Sequence, residues 1–253
     1  MPNMDVVERV ALDRSSKFTF SCNKDLSCWN LCCRDVDILL TPYDVLEMRT
    51  ALGQSSGEFL QNNTKVIIDP KTKIPMVQIM LKPNERLCVF SKEEGCSIYQ
   101  NRPLLCRTYP IGIAALRKKD DPNPEDEFFF FIREKFCKGF SQGKEFTVGD
   151  WLQDQNADYL LEKNKDWLEF ILRRNVMGVE PFNEKEASLY FMAVYDLDKF
   201  RKFVFDTKFL DIFEISKERI EAMKTSDEEL LKFGIDYLFF MFRIKKTLEP
   251  KKT

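Results

Sequence analysis

The 253-residue chain contains no histidine, and this absence removes several kinds of chemistry at once. Nucleophilic catalysis by a cysteine–histidine pair needs an imidazole base beside the thiol, so it is excluded. A metal site built from cysteine thiolates alone is the simplest arrangement left for this chain.

Glycine is scarce, and an excess of basic charge is missing. The chain has 9 glycines and no low-complexity run, and it is 44% hydrophobic and 32% charged, which is typical of a folded globular protein. Lysine and arginine number 39 against 41 aspartate and glutamate, a formal net charge of −2. Because nucleic-acid binding needs a clustered basic surface, we expect no nucleic-acid partner.

Long apolar runs are absent as well. No stretch approaches the ~20 apolar residues that a membrane helix requires, so we expect no membrane partner. The first twenty residues are interrupted by charged side chains and therefore lack the apolar core of a secretory signal. The expected location is a reducing cytoplasm, where stable disulfides are rare and thiols stay available for metals.

What the chain does have is eight cysteines, all within its first 137 residues: Cys22, Cys28, Cys32, Cys33, Cys88, Cys96, Cys106 and Cys137. Disulfides, metal ligation and thiol catalysis compete as explanations, and spacing and compartment together favour metal ligation. Zinc and iron–sulfur clusters both favour four thiolates, so eight cysteines divide into two such sets, and one site with spare thiols is the other arrangement. The predicted metal ligands are all eight cysteines. The first choices are Cys28, Cys32, Cys33, Cys96, Cys106 and Cys137, and Cys22 and Cys88 complete the set.

Two cysteines are adjacent, Cys32 and Cys33. Neighbouring side chains diverge, so both bind one metal only if the backbone turns sharply, and otherwise they serve two neighbouring centres. The three-cysteine loop that supports radical chemistry on S-adenosylmethionine would need a cysteine at position 35, where this chain has Asp35.

Two arginines flank the later cysteines, and we predict Arg102 and Arg107 as cofactor-binding residues. Four thiolates on Zn²⁺ carry a net charge of about −2 that nearby guanidinium groups would offset. The alternative is that these arginines form surface ion pairs with Glu93, Glu94 or Asp35. No catalytic residue is predicted.

Capping residues and hydrophobic periodicity predict the regular elements. Helices are expected to start at Thr41, at Ser55 or Ser56, at Thr147 and at Ser226, and to cover residues 165–177 and 184–205. Strands are expected at residues 65–69 and 74–81, joined as a hairpin, and at residues 127–132. The many aromatic residues of the later helices are expected to form core rather than a cofactor pocket.

These elements predict an α+β protein. An irregular cysteine-cluster module with a small antiparallel sheet and short helices would be followed by a mainly α-helical C-terminal region of four or more helices. The expected domains are a metal-binding domain at residues 15–147 and a helical region at residues 148–253.

Several motifs around the cysteines carry a family resemblance. They are the run Ile38 to Val45, Cys88-Val89-Phe90, Gly95 to Tyr99, Arg102-Pro103, Cys106-Arg107-Thr108-Tyr109-Pro110, Phe136 to Gly139 and Thr147 to Leu152. Over about residues 18 to 155 the chain resembles the YkgJ-type cysteine-cluster family, written CxxCxxCC, which is described as zinc- or iron-chelating. One departure is that Cys22 stands six residues before Cys28, where the pattern in the family's name has closer spacing.

The resemblance implies a metal-binding protein that coordinates zinc or an iron–sulfur cluster through cysteine thiolates, with no assigned physiological role. The related flagellin lysine methylases also carry a cysteine cluster and use S-adenosylmethionine, so a redox or methyl-transfer enzyme is the alternative. The chain has no glycine-rich nucleotide loop after a strand, which disfavours that alternative. The sequence leaves open the metal, any protein partner and whether the protein is an enzyme.

Overall fold

The computed structural model describes residues 6–116, 126–176 and 180–251. The chain forms two compact units, the first from Met1–Leu40 and Gln78–Glu162 and the second from Thr41–Val77 and Lys163–Thr253. The predicted domain boundary at residues 147 and 148 stays a prediction, because compactness does not test which segments fold independently. Within the described ranges, no helix is both long enough and apolar enough to cross a bilayer.

Ten short strands lie in the described part of the chain. They are β1 (Val7–Leu12), β2 (Lys17–Phe20), β3 (Leu39–Leu40), β4 (Thr64–Ile68), β5 (Pro75–Ile79), β6 (Ser91–Lys92), β7 (Gly95–Cys96), β8 (Ile111–Leu116), β9 (Asp126–Ile132) and β10 (Lys144–Thr147).

Ten helices accompany them over the same described residues. They are α1 (Pro42–Ala51), α2 (Ser56–Asn63), α3 (Leu104–Thr108), α4 (Val148–Asp154), α5 (Ala157–Val176), α6 (Glu184–Val194), α7 (Leu197–Phe205), α8 (Phe209–Ile212), α9 (Lys217–Thr225) and α10 (Asp227–Met241). The predicted α+β class, with small antiparallel sheets and a helical C-terminal region, is confirmed.

The first unit is built on two small antiparallel sheets and an aromatic core. One sheet has the order β1-β9-β8, and the other pairs β10 with β2. Phe131 of β9 stands edge-on to Phe18 of β2, and the Trp151 ring of α4 stands edge-on to both Phe18 and Phe20. The buried members of this core are Phe18, Phe20, Ile111, Phe129, Phe131, Val148, Trp151, Leu152 and Ala157. Burial of these rings, at ~25 cal/mol per Å² of apolar surface, stabilises the sheets that carry the cysteine segments.

The second unit is mainly helical, and aromatic rings fill its interior. Phe170 of α5 is fully buried against Tyr190 of α6 and Phe239 of α10, with ring centroids 6.0 and 5.7 Å away. On the other side of α10, Phe200 and Tyr237 are also buried and stacked. The prediction that these aromatics form core is confirmed.

Most predicted helix starts are confirmed by their hydrogen bonds. Thr41, Ser55 and Thr147 each form a capping box with the acidic residue three positions later. The Ser226 side chain accepts from the Glu229 amide at the start of α10. The predicted hairpin is present as β4 and β5, which are neighbours in their sheet, and the predicted aromatic strand is β9.

Two predicted helices have wrong boundaries. The helix expected at residue 165 begins at Ala157, and its expected end at Gly178 lies outside the described residues. The single helix expected over residues 184–205 is two, because α6 ends after Val194 and Asp196 caps a new helix by accepting from the Lys199 amide. Tyr195 and Leu197 are buried, so the apolar pattern continues across this break. Hydrophobic periodicity therefore does not indicate that the helix ends here.

Candidate metal centre

All eight cysteines belong to the first unit, and none forms a disulfide. They lie mostly on short or irregular segments. Cys22 follows β2, Cys32 and Cys33 lie in one turn of 3₁₀ helix (Leu31–Cys33), Cys96 ends β7, and Cys106 is in α3. Cys28 precedes the 3₁₀ turn, Cys88 bridges to Leu81, and Cys137 follows β9. Apart from Cys96 in a strand and Cys106 in a helix, the cysteines lie on backbone whose side-chain directions are not fixed by a strand or an α-helix.

The pairing of β2 with β10 brings the first and last cysteines together. Phe20 is paired with Lys144, and just beyond this pair the Ser21 amide donates to the Gly139 carbonyl at 3.0 Å. Cys22 is therefore next to Cys137, and the charges of their thiols interact. The Lys138 amide also donates to the Cys28 sulfur at 3.3 Å. We call Cys22, Cys28 and Cys137 the terminal group.

A second set of thiols lies around the β6–β7 hairpin. The Cys88 amide donates to the Cys33 carbonyl at 2.8 Å, which ties the 3₁₀ turn to the segment before the hairpin. Ser91 of β6 is paired with Cys96 of β7. The thiols of Cys33, Cys88 and Cys96 lie close enough for their charges to interact. We call these three the hairpin group.

Cys32 and Cys33 join the two groups. The Cys32 thiol donates a hydrogen bond to the Cys33 sulfur, and this bond raises the pKa of Cys32. The same bond and a hydrogen bond from Ser91 lower the pKa of Cys33 to about 7, although burial acts to raise it. Cys32 also interacts with Cys22 of the terminal group and with Cys106. Cys32 and Cys33 therefore link the terminal group, the hairpin group and Cys106 through these pairwise interactions.

The surroundings of Cys22, Cys88 and Cys96 favour the protonated form of these three thiols. Burial raises the pKa of Cys88 to about 11, and burial also raises the pKa of Cys96. Cys22 has an exposed surface, yet the protein atoms beside it and the neighbouring thiols Cys28 and Cys137 raise its pKa. A metal ion that binds here must displace these protons, so binding would be coupled to proton release.

The donor chemistry of this cluster fits zinc or an iron–sulfur cluster, because both take thiolates. Across the residues described, however, no three cysteine or carboxylate side chains converge as a ready-made metal site. Neighbouring thiols interact electrostatically, and Cys32 and Cys33 also share a hydrogen bond.

Arg102 lies beside the thiols and stacks on an aromatic ring. Its guanidinium is 3.9 Å from the centre of the Tyr99 ring, and it donates to the Tyr99 carbonyl and the Gln155 side chain. Its positive charge acts to lower the pKa values of Cys22 and Cys96, although burial outweighs this effect. The position suits a residue that offsets thiolate charge.

Arg107 is buried and has a different set of contacts. It donates to the backbone carbonyls of Arg102, Gln100 and Gln155. These bonds hold the loop before α3 and the end of α4 together around Cys106. Its role as a cofactor-binding residue stays a prediction. Of the three surface acids that were the alternative partners of both arginines, Glu94 pairs with Lys24 and Asp35 with Arg86.

Two polar residues at the cluster were missed by sequence reasoning, Ser91 and Tyr109. The Ser91 hydroxyl donates to the Cys33 sulfur, and the Tyr109 hydroxyl lies beside the Cys137 thiol. Tyr109 follows Cys106 within a recognised motif, and this proximity was the available signal. Ser91 is five residues before Cys96, and nothing in its sequence context indicates its contact.

Residues 21–144 match the family model CxxCxxCC, described as "Putative zinc- or iron-chelating domain". We call this matching segment the CxxCxxCC domain. The match contains all eight cysteines and both arginines. Comparisons with curated proteins and with solved structures gave no significant match.

The CxxCxxCC domain departs from the pattern in its family's name. The adjacent cysteines are present as Cys32 and Cys33, but Cys28 stands four residues before Cys32 and Cys22 a further six, both wider than the pattern. The fold compensates for this spacing, because the segment from Cys22 to Cys33 bends so that Cys22 lies near Cys28, Cys32 and Cys33.

Proposed function

We propose that the CxxCxxCC domain binds zinc or an iron–sulfur cluster through its cysteine thiolates. The observation that carries this proposal is that eight free thiols, supplied by distant segments, form one connected cluster in the first unit. Without disulfides or imidazoles, thiolate–metal bonding is the chemistry that best uses such a cluster. Free thiols also agree with the expected reducing compartment.

We further propose that the cluster holds two neighbouring centres. The hairpin group would supply one set of ligands, and the terminal group with Cys106 would supply the other, with Cys32 and Cys33 at the boundary between them. Bound zinc would cross-link these segments structurally, whereas a bound iron–sulfur cluster would add electron transfer. Arg102 would offset part of the thiolate charge in either case.

Metal and acid-labile sulfide analysis of the whole protein, purified without oxygen, tests the proposal. We expect bound zinc in a colourless protein, or iron with matching sulfide and broad visible absorption. Protein that contains neither, and that takes up neither Zn²⁺ nor iron and sulfide on reconstitution, would refute thiolate metal binding.

Paired substitutions test the division into two centres. Cys88→Ser with Cys96→Ser should remove about half of the bound metal, and Cys28→Ser with Cys137→Ser should remove the other half, because each pair belongs to a different group. Metal content per protein is the measurement. Complete loss from either pair alone would show a single shared centre.

The methyl-transfer alternative has no supporting observation of its own. None of the described contacts places a nucleotide-binding loop at the cysteine cluster, and the family description concerns chelation only. We therefore propose metal binding alone as the activity of this domain.

A further inference from the structure

Strand β4 of the second unit lies at an edge of its three-stranded sheet, with β5 as the central strand. Two large apolar side chains on β4 face solvent, since Val66 is 49% exposed and Ile68 is 53% exposed. Lys65 beside them is also exposed, and it forms no ion pair or side-chain hydrogen bond within the described residues. An open strand edge of this kind is a template on which another strand can pair.

The backbone of β4 is oriented for pairing at this edge. Directly after β4, the Asp69 amide donates to the Ile74 carbonyl at 3.0 Å and so faces β5. Residues two apart along an antiparallel strand direct their N–H and C=O groups towards the same neighbouring strand. Ile67 therefore bonds towards β5, whereas the N–H and C=O groups of Val66 and Ile68 point away from it.

The sequence of β4 is complementary to itself when two copies run antiparallel. If Ile67 lies opposite Ile67 of a second copy, Val66 lies opposite Ile68, and the outward backbone groups of these two residues can exchange hydrogen bonds. In the same register Lys65 lies opposite Asp69, and opposite charges directly across a strand pair are favourable. The two-fold symmetry of the pair makes each of these contacts occur twice.

The neighbouring registers lack this complementarity. Centring the strand pair on Val66 would place Lys65 opposite Ile67, which leaves the ammonium group without a partner. Centring it on Ile68 would place Lys65 opposite Lys71, and like charges across a strand pair are destabilising. A shift by a single residue would set outward backbone groups against inward ones. The register centred on Ile67 is therefore the favoured one.

The Asp69 carboxylate is held in place and still has an oxygen to offer. Its Oδ1 atom accepts hydrogen bonds from the Lys71 amide at 3.0 Å, from the Thr72 amide at 2.6 Å and from the Thr72 hydroxyl at 2.8 Å. Within the part of the chain that the structure describes, Oδ2 has no such bond and Asp69 forms no ion pair. Because the turn already fixes this side chain, little further entropy is lost when it meets a cation.

We propose that the protein forms a homodimer by antiparallel pairing of β4 with β4 of a second copy, about a two-fold axis at Ile67. A lysine on an edge strand usually discourages pairing. Here the second copy supplies Asp69 opposite Lys65, so the charge selects one register and disfavours the others. A single strand pair is a small interface, and we expect a Kd on the order of 10 to 100 μM.

Sedimentation equilibrium of the whole protein with a thiol reductant, from about 1 to 300 μM, tests this dimer. Monomer should dominate at the lowest concentration and dimer at the highest. Val66→Glu with Ile68→Glu should stay monomeric throughout, because the new carboxylates would lie opposite one another. Lys65→Glu should weaken association by ~10-fold or more, because it sets two like-charge pairs in place of two opposite-charge pairs.

Ile212→Glu is the matched control for these variants. Ile212 lies in the same unit as Ile68 and is equally exposed, at 53%. This control should associate as the wild type does. All these substitutions are at exposed positions, so each variant should unfold at the wild-type temperature when dilute. Should the double glutamate variant fail to fold, Lys65→Glu still tests the interface.

A zero-length carbodiimide cross-link between Lys65 and Asp69 tests the register. Within one extended strand these two residues are about 13 Å apart, too far for a direct amide bond, so the linked peptide must join two copies. Mixed ¹⁴N- and ¹⁵N-labelled protein should give this link with one label on each side.

Three results would overturn the proposal. The first is a protein that remains monomeric at the highest concentration. The second is a dimer that Val66→Glu with Ile68→Glu does not weaken, which would place the interface elsewhere. The third is a dimer that yields no Lys65–Asp69 link, which would exclude this strand register.

Discussion

Replacement of both Cys32 and Cys33 by serine is expected to abolish metal binding by the whole cysteine cluster. Cys33 belongs to the hairpin group, and Cys32 interacts with Cys22 and Cys106 of the other proposed centre, so each centre would lose a neighbouring thiol. A serine hydroxyl is a poor ligand for the soft metals that thiolates select. Because thiolate zinc sites in small domains bind with ~10 to 16 kcal/mol, the loss should be evident in metal content and in thermal stability measured with and without chelator.

Lys92→Gln is a suitable control for this double variant. Lys92 is exposed on β6 beside the cluster, and its replacement leaves all eight thiols in place. This control should retain wild-type metal content. A Cys32 and Cys33 double variant that also retained wild-type metal content would show that the ligands are elsewhere.

Gly234→Ala is expected to cause the largest loss of stability in the helical unit. A methyl group at this position in α10 would lie 2.2 Å from the Ala193 carbonyl oxygen of α6, much closer than atoms can approach. The two helices would have to move apart, and overpacking of this kind costs ~1 to 3 kcal/mol or more. We expect a loss of about 3 kcal/mol, which for a chain of this size lowers the unfolding temperature by roughly 6 to 12 °C.

Gly57→Ala provides the opposite result in the same unit. An added methyl group at Gly57 in α2 meets no atom within 4 Å, so only the entropy of the unfolded chain changes. We expect it to raise the free energy of unfolding by roughly 0.5 to 1 kcal/mol. Thermal unfolding followed by circular dichroism compares the two variants. Equal stability of Gly234→Ala and wild type would contradict the close packing of α6 and α10.

Helix starts were predictable because their chemistry is local. At Thr41, Ser55 and Thr147, the capping side chain and its acidic partner are three residues apart. Both partners of the interaction therefore lie within a short stretch of sequence. The break between α6 and α7 was not predictable in this way. Asp196 marks it, but its buried carboxylate also accepts from the Ser56 hydroxyl, a residue far away in the chain.

Strand pairing in the first unit shows the limit of sequence reasoning. β1 and β2 are short, and their partners β9 and β10 lie more than a hundred residues later, so no local pattern identifies them. The set of eight cysteines follows from composition alone. Their grouping does not, because it depends on these same long-range pairs.

The β2–β10 pairing also has a consequence for the order in which the cluster can be assembled. Cys22 is among the first cysteines to leave the ribosome, and its neighbour Cys137 is the last. The strand that holds these segments together, β10, is made later still. A nascent chain that has emerged only as far as the hairpin group could acquire metal there, while the terminal group must wait for β10. If the cluster binds metal as proposed, its two groups of thiols would therefore load in sequence during synthesis, starting at the hairpin.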